Sequence, residues 1–257
     1  MDTPHLLYHV KDNVAYFTIN RENQRNTISI EALDLFHRYL DEAAENPDVR
    51  VICVTGAGNR TFCAGADLGA GLAGNDGMPV FKKYADLLKK LAGFPKPTVA
   101  KVNGSCVAGG TGFMLACDIV IAGSKATFGT PEVNVGLFPM VIGALIFRNV
   151  LRKKAMEMAL LGEKLTARQA LEMGLITRIA EPENLDAEVD RILKVLVKKS
   201  PIGMKIGKEA FYETADMPFE QALDLLAEKI SEVAATQDAR EGIMAFLEKR
   251  EPLFTGK

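Results

Sequence analysis

The sequence predicts a layered α/β fold of mainly parallel strands, followed by a helical C-terminal part. Two observations support this fold class. The order strand, loop, helix, strand recurs along the first 140 residues, as in proteins that alternate strands with covering helices. Beyond residue 140 the strand signals almost vanish, and most segments space their apolar residues as a helix does.

The first unit is a predicted strand pair, a helix and a third strand. Residues 6–20 alternate apolar and polar positions on both sides of a turn-like Lys-Asp-Asn, which predicts two short strands. Residues 29–45 change to helical spacing, with Ser29 as the predicted N-cap. The apolar run at 49–56 then predicts a buried strand that ends in glycine.

Two more units follow in the same order. A polar, glycine-rich loop extends to about residue 78, and a helix is predicted over about 79–92, before a strand within 95–104. The third unit is a helix beginning near Gly110 and two strands within 117–123 and 126–129. The segment from about residue 200 is predicted to be a helical appendage.

An apolar stripe marks the longest helix of this appendage. Periodicity alone favours packing of the stripe within its own chain, with a second subunit as the alternative. The stripe consists of Phe219, Leu223, Leu226, Ile230 and Val233.

The composition excludes several classes of function. With 31 Lys and Arg against 33 Asp and Glu, the formal net charge of −2 offers no electrostatic attraction for a phosphate backbone, so we predict no nucleic-acid partner. No segment approaches the roughly 18 apolar residues of a membrane span, and we predict no membrane partner. Because the first residues lack a leader pattern, the chain is predicted to be cytoplasmic.

Cysteine and histidine spacing indicates neither a metal site nor a nucleophile activated by histidine. The three histidines all lie within the first 37 residues, far in sequence from the glycine-rich middle of the chain. The four cysteines are too widely spaced for paired zinc ligands and are predicted to be reduced thiols in or near a core. These cysteines are Cys53, Cys63, Cys106 and Cys117.

Two glycine-bearing loops, at 54–68 and 101–118, follow predicted strands where an α/β sheet usually forms its binding crevice. The first fails as a dinucleotide fingerprint because Thr61 stands at the third glycine position, and the second lacks the Lys-Ser or Lys-Thr of a phosphate-binding loop. The backbone N–H groups of Ala66 and Gly109 could instead form a cradle for a developing oxyanion. The alternative is that these glycines only make turns.

Glu132 is the candidate acid or base. The local pattern also fits a structural role, because Thr130 could be an N-cap, Pro131 the first helical residue, and a glutamate in a first turn is favoured by the helix dipole. Asp67 and Asp118 could similarly anchor loops by accepting backbone hydrogen bonds.

Five stretches read together are more specific than either loop. They are FCAGADL (62–68), NGSCVAGGTGFMLACDIVIA (103–122), FGTPEVNVGLFP (128–139), GEKLTARQALEMGLI (162–176) and EGIMAFLEKREPLFTGK (241–257). In this order they resemble the enoyl-CoA hydratase/isomerase family, also called the crotonase family, over almost the whole chain. The resemblance implies a crotonase-like spiral of ββα repeats in residues 1–199 and a helical trimerisation region in residues 200–257.

The resemblance also implies a substrate and its binding residues. The substrate would be an acyl-CoA thioester, the assembly a homo-trimer or a dimer of trimers, and no cofactor would be needed because coenzyme A arrives with the substrate. The thioester carbonyl would accept hydrogen bonds from Ala66 and Gly109. The other substrate-binding residues are predicted to be Ala64, Asp67 and Leu68 on the adenine and pantetheine side, with Gly110, Phe138 and Met140.

The chemistry implied by the resemblance depends on the number of glutamates. Hydratases of the family use two, of which Glu132 matches the second, while Gly112 stands at the position of the first. A single carboxylate is similar to the family's isomerases, in which one base moves a proton between C2 and C4 of the acyl chain. An apolar wall would raise the pKa of this base, and Phe113, Phe138 and Met140 are predicted to supply it.

Isomerisation and hydration both stay open on the sequence, since a water held by Thr111 or a group from elsewhere could replace the first glutamate. A catalytically weak acyl-CoA-binding scaffold is the main alternative of another class, and a specialised acyl-CoA hydrolase or lyase of the same fold is a further one. A nicotinamide dehydrogenase and a peptidase are disfavoured by the missing fingerprint and the missing Ser-His pair.

Overall fold

The computed structural model describes residues 3–67 and 77–257. The described residues contain ten strands and ten α-helices. The strands are β1 (Leu6–Lys11), β2 (Val14–Ile19), β3 (Val51–Gly56), β4 (Thr61–Cys63), β5 (Thr98–Val102), β6 (Ser105–Val107), β7 (Ile119–Gly123), β8 (Thr127–Gly129), β9 (Leu165–Thr166) and β10 (Arg178–Ala180). The helices are α1 (Ile30–Glu45), α2 (Gly77–Ala92), α3 (Gly109–Leu115), α4 (Met140–Asn149), α5 (Arg152–Leu161), α6 (Ala167–Glu172), α7 (Leu185–Leu196), α8 (Pro201–Thr214), α9 (Phe219–Ala234) and α10 (Gln237–Leu247).

The strands form two sheets. The larger sheet has six strands in the order β1-β2-β3-β5-β7-β10, and all of its neighbouring pairs are parallel except β1 with β2. The smaller sheet has four strands in the order β4-β6-β8-β9, in which β4, β6 and β8 are parallel and β9 is antiparallel. The predicted α/β class with mainly parallel strands is confirmed.

The long elements agree with the sequence prediction, whereas most of the short strands were not predicted. Ser29 is the N-cap of α1, because its hydroxyl oxygen accepts a hydrogen bond from the backbone N–H of Ala32 at 3.1 Å. The strands β4, β6, β9 and β10 have two or three residues each, which is too short for an alternating pattern to be recognised.

Apolar side chains fill both faces of the larger sheet, as expected of parallel strands. On one face α1, α2 and α3 cover the main core, in which Phe36 stacks on both Phe17 and Phe113 with ring centroids 5.8 and 5.0 Å apart. On the other face α7 covers a smaller core that includes Val51 and Ile192. All four cysteines are buried and free, which confirms the prediction of thiols in the core.

The C-terminal helices cover little of either sheet. Helix α8 is anchored by buried Ile206 and by Lys208, whose ammonium group donates to the Lys96 carbonyl at 3.0 Å and pairs with Asp118. Helix α9 packs on α8 and α10 but has no buried residue. The prediction that its apolar stripe packs within the chain is wrong for the three residues that stay most exposed, since no other layer formed by residues 3–67 and 77–257 covers them. They are Phe219, Leu223 and Ile230, with exposed fractions of 76%, 51% and 63%.

A buried asparagine holds the loop that leads into β4. The side chain of Asn26 is fully buried, and its amide donates to the carbonyls of Ala57 and Thr61 at 3.0 and 2.7 Å. Its side-chain oxygen accepts from the backbone N–H of Arg21 at 3.0 Å. Asn26 therefore satisfies three backbone groups around the turn before β4.

We expect Asn26→Asp to lower the free energy of unfolding by about 2–3 kcal/mol, because a carboxylate cannot donate and leaves the half-buried carbonyls of Ala57 and Thr61 without this donor. Urea denaturation at pH 7 measures this change. The matched control is Asn149→Asp, whose exposed amide donates to the Leu145 carbonyl at 2.8 Å and which should change stability by less than about 1 kcal/mol. Equal losses of stability in the two variants would contradict the role of Asn26 in holding the loop before β4.

Candidate active site

The parallel strands of the smaller sheet bring three segments to one edge. Strand β4 ends at Cys63 just before Ala66, β6 ends at Val107 just before Gly109, and β8 ends at Gly129 just before Glu132. Because parallel strands finish on the same side of a sheet, the three predicted catalytic residues lie at this shared carboxyl edge.

The backbone on both sides of Ala66 is fixed by residue 28. Ile28 donates from its N–H to the Gly65 carbonyl at 2.8 Å and accepts from the Asp67 N–H at 3.1 Å. These two bonds turn the N–H of Ala66 away from Ile28, and that N–H finds no acceptor among the residues that the structure describes. Ala66 is an exposed residue, so a ligand can approach this part of the backbone.

Gly109 presents a second N–H of the same kind at the start of α3. The preceding residue, Ala108, has a positive φ of 51° with ψ of −132°, a conformation that L residues rarely adopt. The Ala108 N–H donates to the Gly129 carbonyl at 3.0 Å, which ties the start of α3 to β8. Within 3–67 and 77–257, no group accepts the N–H of Gly109.

The two free N–H groups are neighbours because no side chain separates the segments that carry them. A Cβ at Gly65, where φ is +92°, would lie 3.0 Å from the nitrogen of Gly109 and 2.8 Å from the Cβ of Ala108. A Cβ at Gly109 would lie 3.5 Å from the nitrogen of Ala66. Two adjacent unpaired N–H groups can hold a developing oxyanion, the chemistry predicted for this pair.

Gly110, predicted to bind substrate, packs α3 against β4. It is buried, and a Cβ at this position would overlap the Cys63 carbonyl. The absence of a side chain lets α3 approach β4 closely enough for the cradle to form.

Glu132 lies in a short 3-10 helix, Pro131–Val135, directly after β8. Its Oε2 atom is buried and has no hydrogen-bond partner among the described residues. Burial raises the pKa of Glu132 above its ordinary value, while a hydrogen bond from its own backbone N–H acts in the opposite direction. The upward direction agrees with the prediction of a base in an apolar environment. The contact with its own N–H leaves Oε2 available.

Helix α5 holds the Glu132 segment in place. The hydroxyl of Thr130 donates to the Met158 carbonyl at 3.0 Å, so it does not cap the helix at Glu132 as the sequence had suggested. The amide of Asn134 donates to the Gly162 carbonyl at 3.3 Å. The turn that carries Glu132 is therefore anchored on both sides.

Tyr84 on α2 is a polar residue of this site that the sequence analysis missed. Its hydroxyl donates to the Gly109 carbonyl, and a Cβ on Gly112 would overlap that hydroxyl. Burial and the nearby charge of Glu132 both contribute to raising the pKa of the phenol well above its ordinary value, with burial the largest cause. The signal in the sequence was a hydroxyl on the apolar face of a predicted helix.

Other predicted residues lie in varied surroundings. Asp67 pairs with Arg21 through a contact of 2.7 Å, and Ala64 donates from its N–H to the Arg25 carbonyl at 3.2 Å. Leu68 lies outside the described residues. Phe138 and Met140 have exposed fractions of 39% and 75%. Their roles stay predictions.

The hydroxyl of Thr111 is fully buried, and its nearest acceptors are the carbonyls of Cys106 and Gly129 at 3.5 and 3.4 Å. It therefore faces the backbone of the smaller sheet. Phe113, predicted as part of the apolar wall, is fully buried and packs edge-on against Tyr84 with centroids 5.5 Å apart. The histidines lie elsewhere, since His5 contacts Ser29 and His37 contacts the Lys83 carbonyl.

The described residues contain neither a candidate metal cluster nor a helix that could span a membrane. Within them, no group of three or more His, Cys, Asp or Glu side chains could hold a metal ion. None of the helices of residues 3–67 and 77–257 has the length and hydropathy to cross a bilayer. The predictions of no metal and no cofactor remain predictions.

Comparison with known proteins gives consistent matches along the chain. The profile of the enoyl-CoA hydratase/isomerase family matches residues 9–257. Enoyl-CoA hydratase domain-containing protein 3 of Xenopus laevis, a mitochondrial protein, is 34% identical over 98% of this chain and 87% of its own length. The 1,2-epoxyphenylacetyl-CoA isomerase of Escherichia coli K12 is 34% identical over 98% of each chain. The crystal structure of an enoyl-CoA hydratase from Mycobacterium smegmatis has a TM-score of 0.94 and 31% identity, with 98% of this chain and 99% of that chain covered.

The fold and the site define an α/β protein that brings two free backbone N–H groups and one glutamate with a buried carboxylate oxygen to the same sheet edge. With the matches above, the chain belongs to the enoyl-CoA hydratase/isomerase family and has the crotonase fold, as the resemblance had implied. Because the Xenopus relative is mitochondrial, the predicted cytoplasmic location remains a prediction.

We expect Gly65→Ala to lower stability by about 2 kcal/mol and to weaken binding of an acyl-CoA, because the new Cβ would push Gly109 away and would strain a residue with positive φ. Thermal unfolding and calorimetric titration with butyryl-CoA measure the two effects. The control is Gly207→Ala in α8, where a Cβ would meet nothing within 4 Å. Wild-type binding by the Gly65 variant would show that the close approach is not needed.

Proposed function

We propose that this protein is an enoyl-CoA isomerase that moves a double bond along the acyl chain of a CoA thioester, with Glu132 as its single acid and base. The observation that carries this proposal is the buried, unpartnered Oε2 atom of Glu132, at the same sheet edge as the free N–H groups of Ala66 and Gly109. A buried acceptor without a partner is costly and is retained where function requires it.

The proposed reaction begins at the thioester carbonyl. Ala66 and Gly109 donate hydrogen bonds to the carbonyl oxygen and stabilise the negative charge that develops when a proton leaves C2. Glu132 takes that proton, which leaves a dienolate, and returns it at C4, so that the double bond moves by one position. Atoms and charge balance without any further reactant.

The surroundings of Gly112 favour isomerisation over two-glutamate hydration. The space that a side chain would need there is taken by the hydroxyl of Tyr84, by Cγ2 of Ile142 at 2.7 Å and by Cδ1 of Leu88 at 3.1 Å from a Cβ position. A second carboxylate at this position would displace these groups. The phenol has a raised pKa and stays protonated at neutral pH, so it does not replace a carboxylate as a base.

We also propose the predicted binding residues as the substrate contacts. Ala64, Asp67 and Leu68 would follow the adenine and pantetheine side, with Gly110 beside the cradle. Phe138 and Met140 would contact the acyl group, and their partial exposure fits surfaces that a ligand covers. The alternatives to isomerisation are hydration, another acyl-CoA reaction and acyl-CoA binding without turnover.

We expect Glu132→Gln to lower isomerisation of 3-hexenoyl-CoA at least a hundredfold while its Kd changes less than threefold, because the amide cannot accept the C2 proton. Products are followed by mass spectrometry in deuterated water. In the wild type, kcat/KM should fall as the pH drops through the raised pKa of Glu132, because protonation removes the base. The residual activity of the Glu132→Gln variant should not show this fall at low pH.

The matched control is Glu163→Gln, an exposed glutamate that should keep full activity. If the protein adds water to crotonyl-CoA at a comparable rate, the proposed activity is wrong and the protein is a hydratase. If both esters bind tightly but give neither product nor deuterium exchange, the proposal of catalysis is wrong and the protein binds acyl-CoA without turnover.

We propose further that the chain forms a homo-trimer or a dimer of trimers through residues 200–257, with residues 1–199 as the catalytic core. The exposed stripe of α9 supports this proposal, because Phe219, Leu223 and Ile230 form an apolar surface that a monomer leaves in water. Exposed Phe246 and Leu247 extend the apolar surface on α10.

Sedimentation equilibrium should give three or six times the chain mass of 27.9 kDa. Ile230→Glu should shift the distribution towards monomer, because it places a charge within the apolar surface. The control Glu228→Gln lies on an exposed part of the same helix and should leave the assembly unchanged. A wild-type protein that sediments as a monomer would overturn this proposal.

A further inference from the structure

Gly109 is the least restrained residue of the cradle by its own chemistry. Glycine has the widest range of backbone conformations, and Gly109 lies between the strained Ala108 and another glycine. Its N–H has no acceptor among the described residues that would fix its direction. The peptide that carries this N–H is held at its other end, where the Ala108 carbonyl accepts a hydrogen bond from the Thr111 N–H at 2.9 Å. The next peptide, which carries the Gly109 carbonyl, needs an anchor of its own if rotation about the Gly109 α-carbon is to be restricted.

Tyr84 makes that contact from a separate element. Its hydroxyl donates to the Gly109 carbonyl across from α2, while its ring packs edge-on against Phe113. No other side chain in the described parts of the protein donates to Gly109. The phenol is also close to the donor side of the cradle, because a Cβ at Gly109 would lie 3.4 Å from the Tyr84 oxygen.

The phenol is suited to a permanent donor role. Burial is the largest cause that raises the pKa of Tyr84, and the Glu132 charge acts in the same direction. The hydroxyl therefore keeps its proton across the pH range in which Glu132 changes charge. A neutral donor holds the Gly109 carbonyl irrespective of the protonation state of the base.

We propose that Tyr84 is a positioning residue: it anchors the Gly109 carbonyl, which belongs to the peptide after the one that carries the Gly109 N–H, restricts rotation about the Gly109 α-carbon and so keeps that N–H aimed at the thioester oxygen. This inference rests on the proposed function, because it assigns Gly109 to the oxyanion cradle. Tyr84 acts through Gly109 and need not touch the substrate.

Gly112 provides a second, independent way to disturb the same hydrogen bond. A Cβ at this position would overlap the Tyr84 hydroxyl, so Gly112→Ala must push the phenol aside. If the hydroxyl has already been removed, the same alanine has less to displace. The two substitutions should therefore be less than additive.

The test compares wild type with Tyr84→Phe, which keeps the ring and removes the oxygen. The probe is butyryl-CoA labelled with ¹³C at the thioester carbonyl, observed by difference infrared spectroscopy. We expect the bound wild-type carbonyl band to lie at lower frequency than in water, and Tyr84→Phe to lose at least half of that shift. Exchange of the C2 protons in deuterated water should slow about tenfold while Kd stays within twofold.

Tyr8→Phe is the matched control. The Tyr8 hydroxyl is also buried but has no hydrogen-bond partner among the described residues, and it belongs to β1, outside the site. This control should keep the wild-type band and exchange rate. Gly112→Ala should slow exchange in the wild type by more than it does in the Tyr84→Phe background.

The outcomes separate this inference from the proposed function. A shifted carbonyl band that is the same in wild type and Tyr84→Phe overturns the role of Tyr84 and leaves the cradle intact. No shift in the wild type, with no C2 exchange, overturns the proposed function itself. Equal loss of binding and exchange in Tyr84→Phe also overturns the inference, because it indicates general damage to the site.

Discussion

The structure around the site depends on a close approach of two backbone segments with no side chain between them. Gly65 and Gly109 meet at distances that a Cβ on either residue would reduce to 3.3 Å or less. Gly110 lets α3 come equally close to β4. The arrangement is a steric constraint, since any larger residue would separate the N–H groups before hydrogen bonding could act. Ala108, strained at positive φ, is held there by the packing on both sides.

The smaller sheet brings the closely approaching segments and the glutamate together in one site. Its three parallel strands have three residues each, yet they end at one edge and deliver Ala66, Gly109 and Glu132 from distant parts of the sequence. The larger sheet and its covering helices provide the rigid support, because α2 and α3 share the main core. Tyr84 connects this support to the site, since it lies on α2 and hydrogen-bonds to the residue that begins α3.

Sequence patterns predicted the long elements well because α1, β3, β5 and β7 have enough residues to display a period or a continuous apolar run. They missed β4 and β6 because a three-residue strand inside a glycine-rich loop has no measurable period. Ala66, Gly109 and Glu132 were predicted, but local pattern could not separate a cradle from a turn or a base from a cap. Tyr84 could not be placed, because its contact with Gly109 spans 25 residues and depends on how α2 packs.

The unpartnered oxygen of Glu132 links the chemistry of the site to the thermodynamics of folding. The folded-state pKa of this carboxyl lies above its ordinary value of 4.5, so folding disfavours its charged form. Below the unfolded pKa both states hold the proton and Glu132 costs nothing. Above the unfolded pKa, the unfolded chain releases this proton while the folded chain still holds it. The free energy of unfolding therefore falls as the pH rises, until the folded pKa is passed. The protein therefore loses conformational stability over the pH range that ends where Glu132 becomes a base.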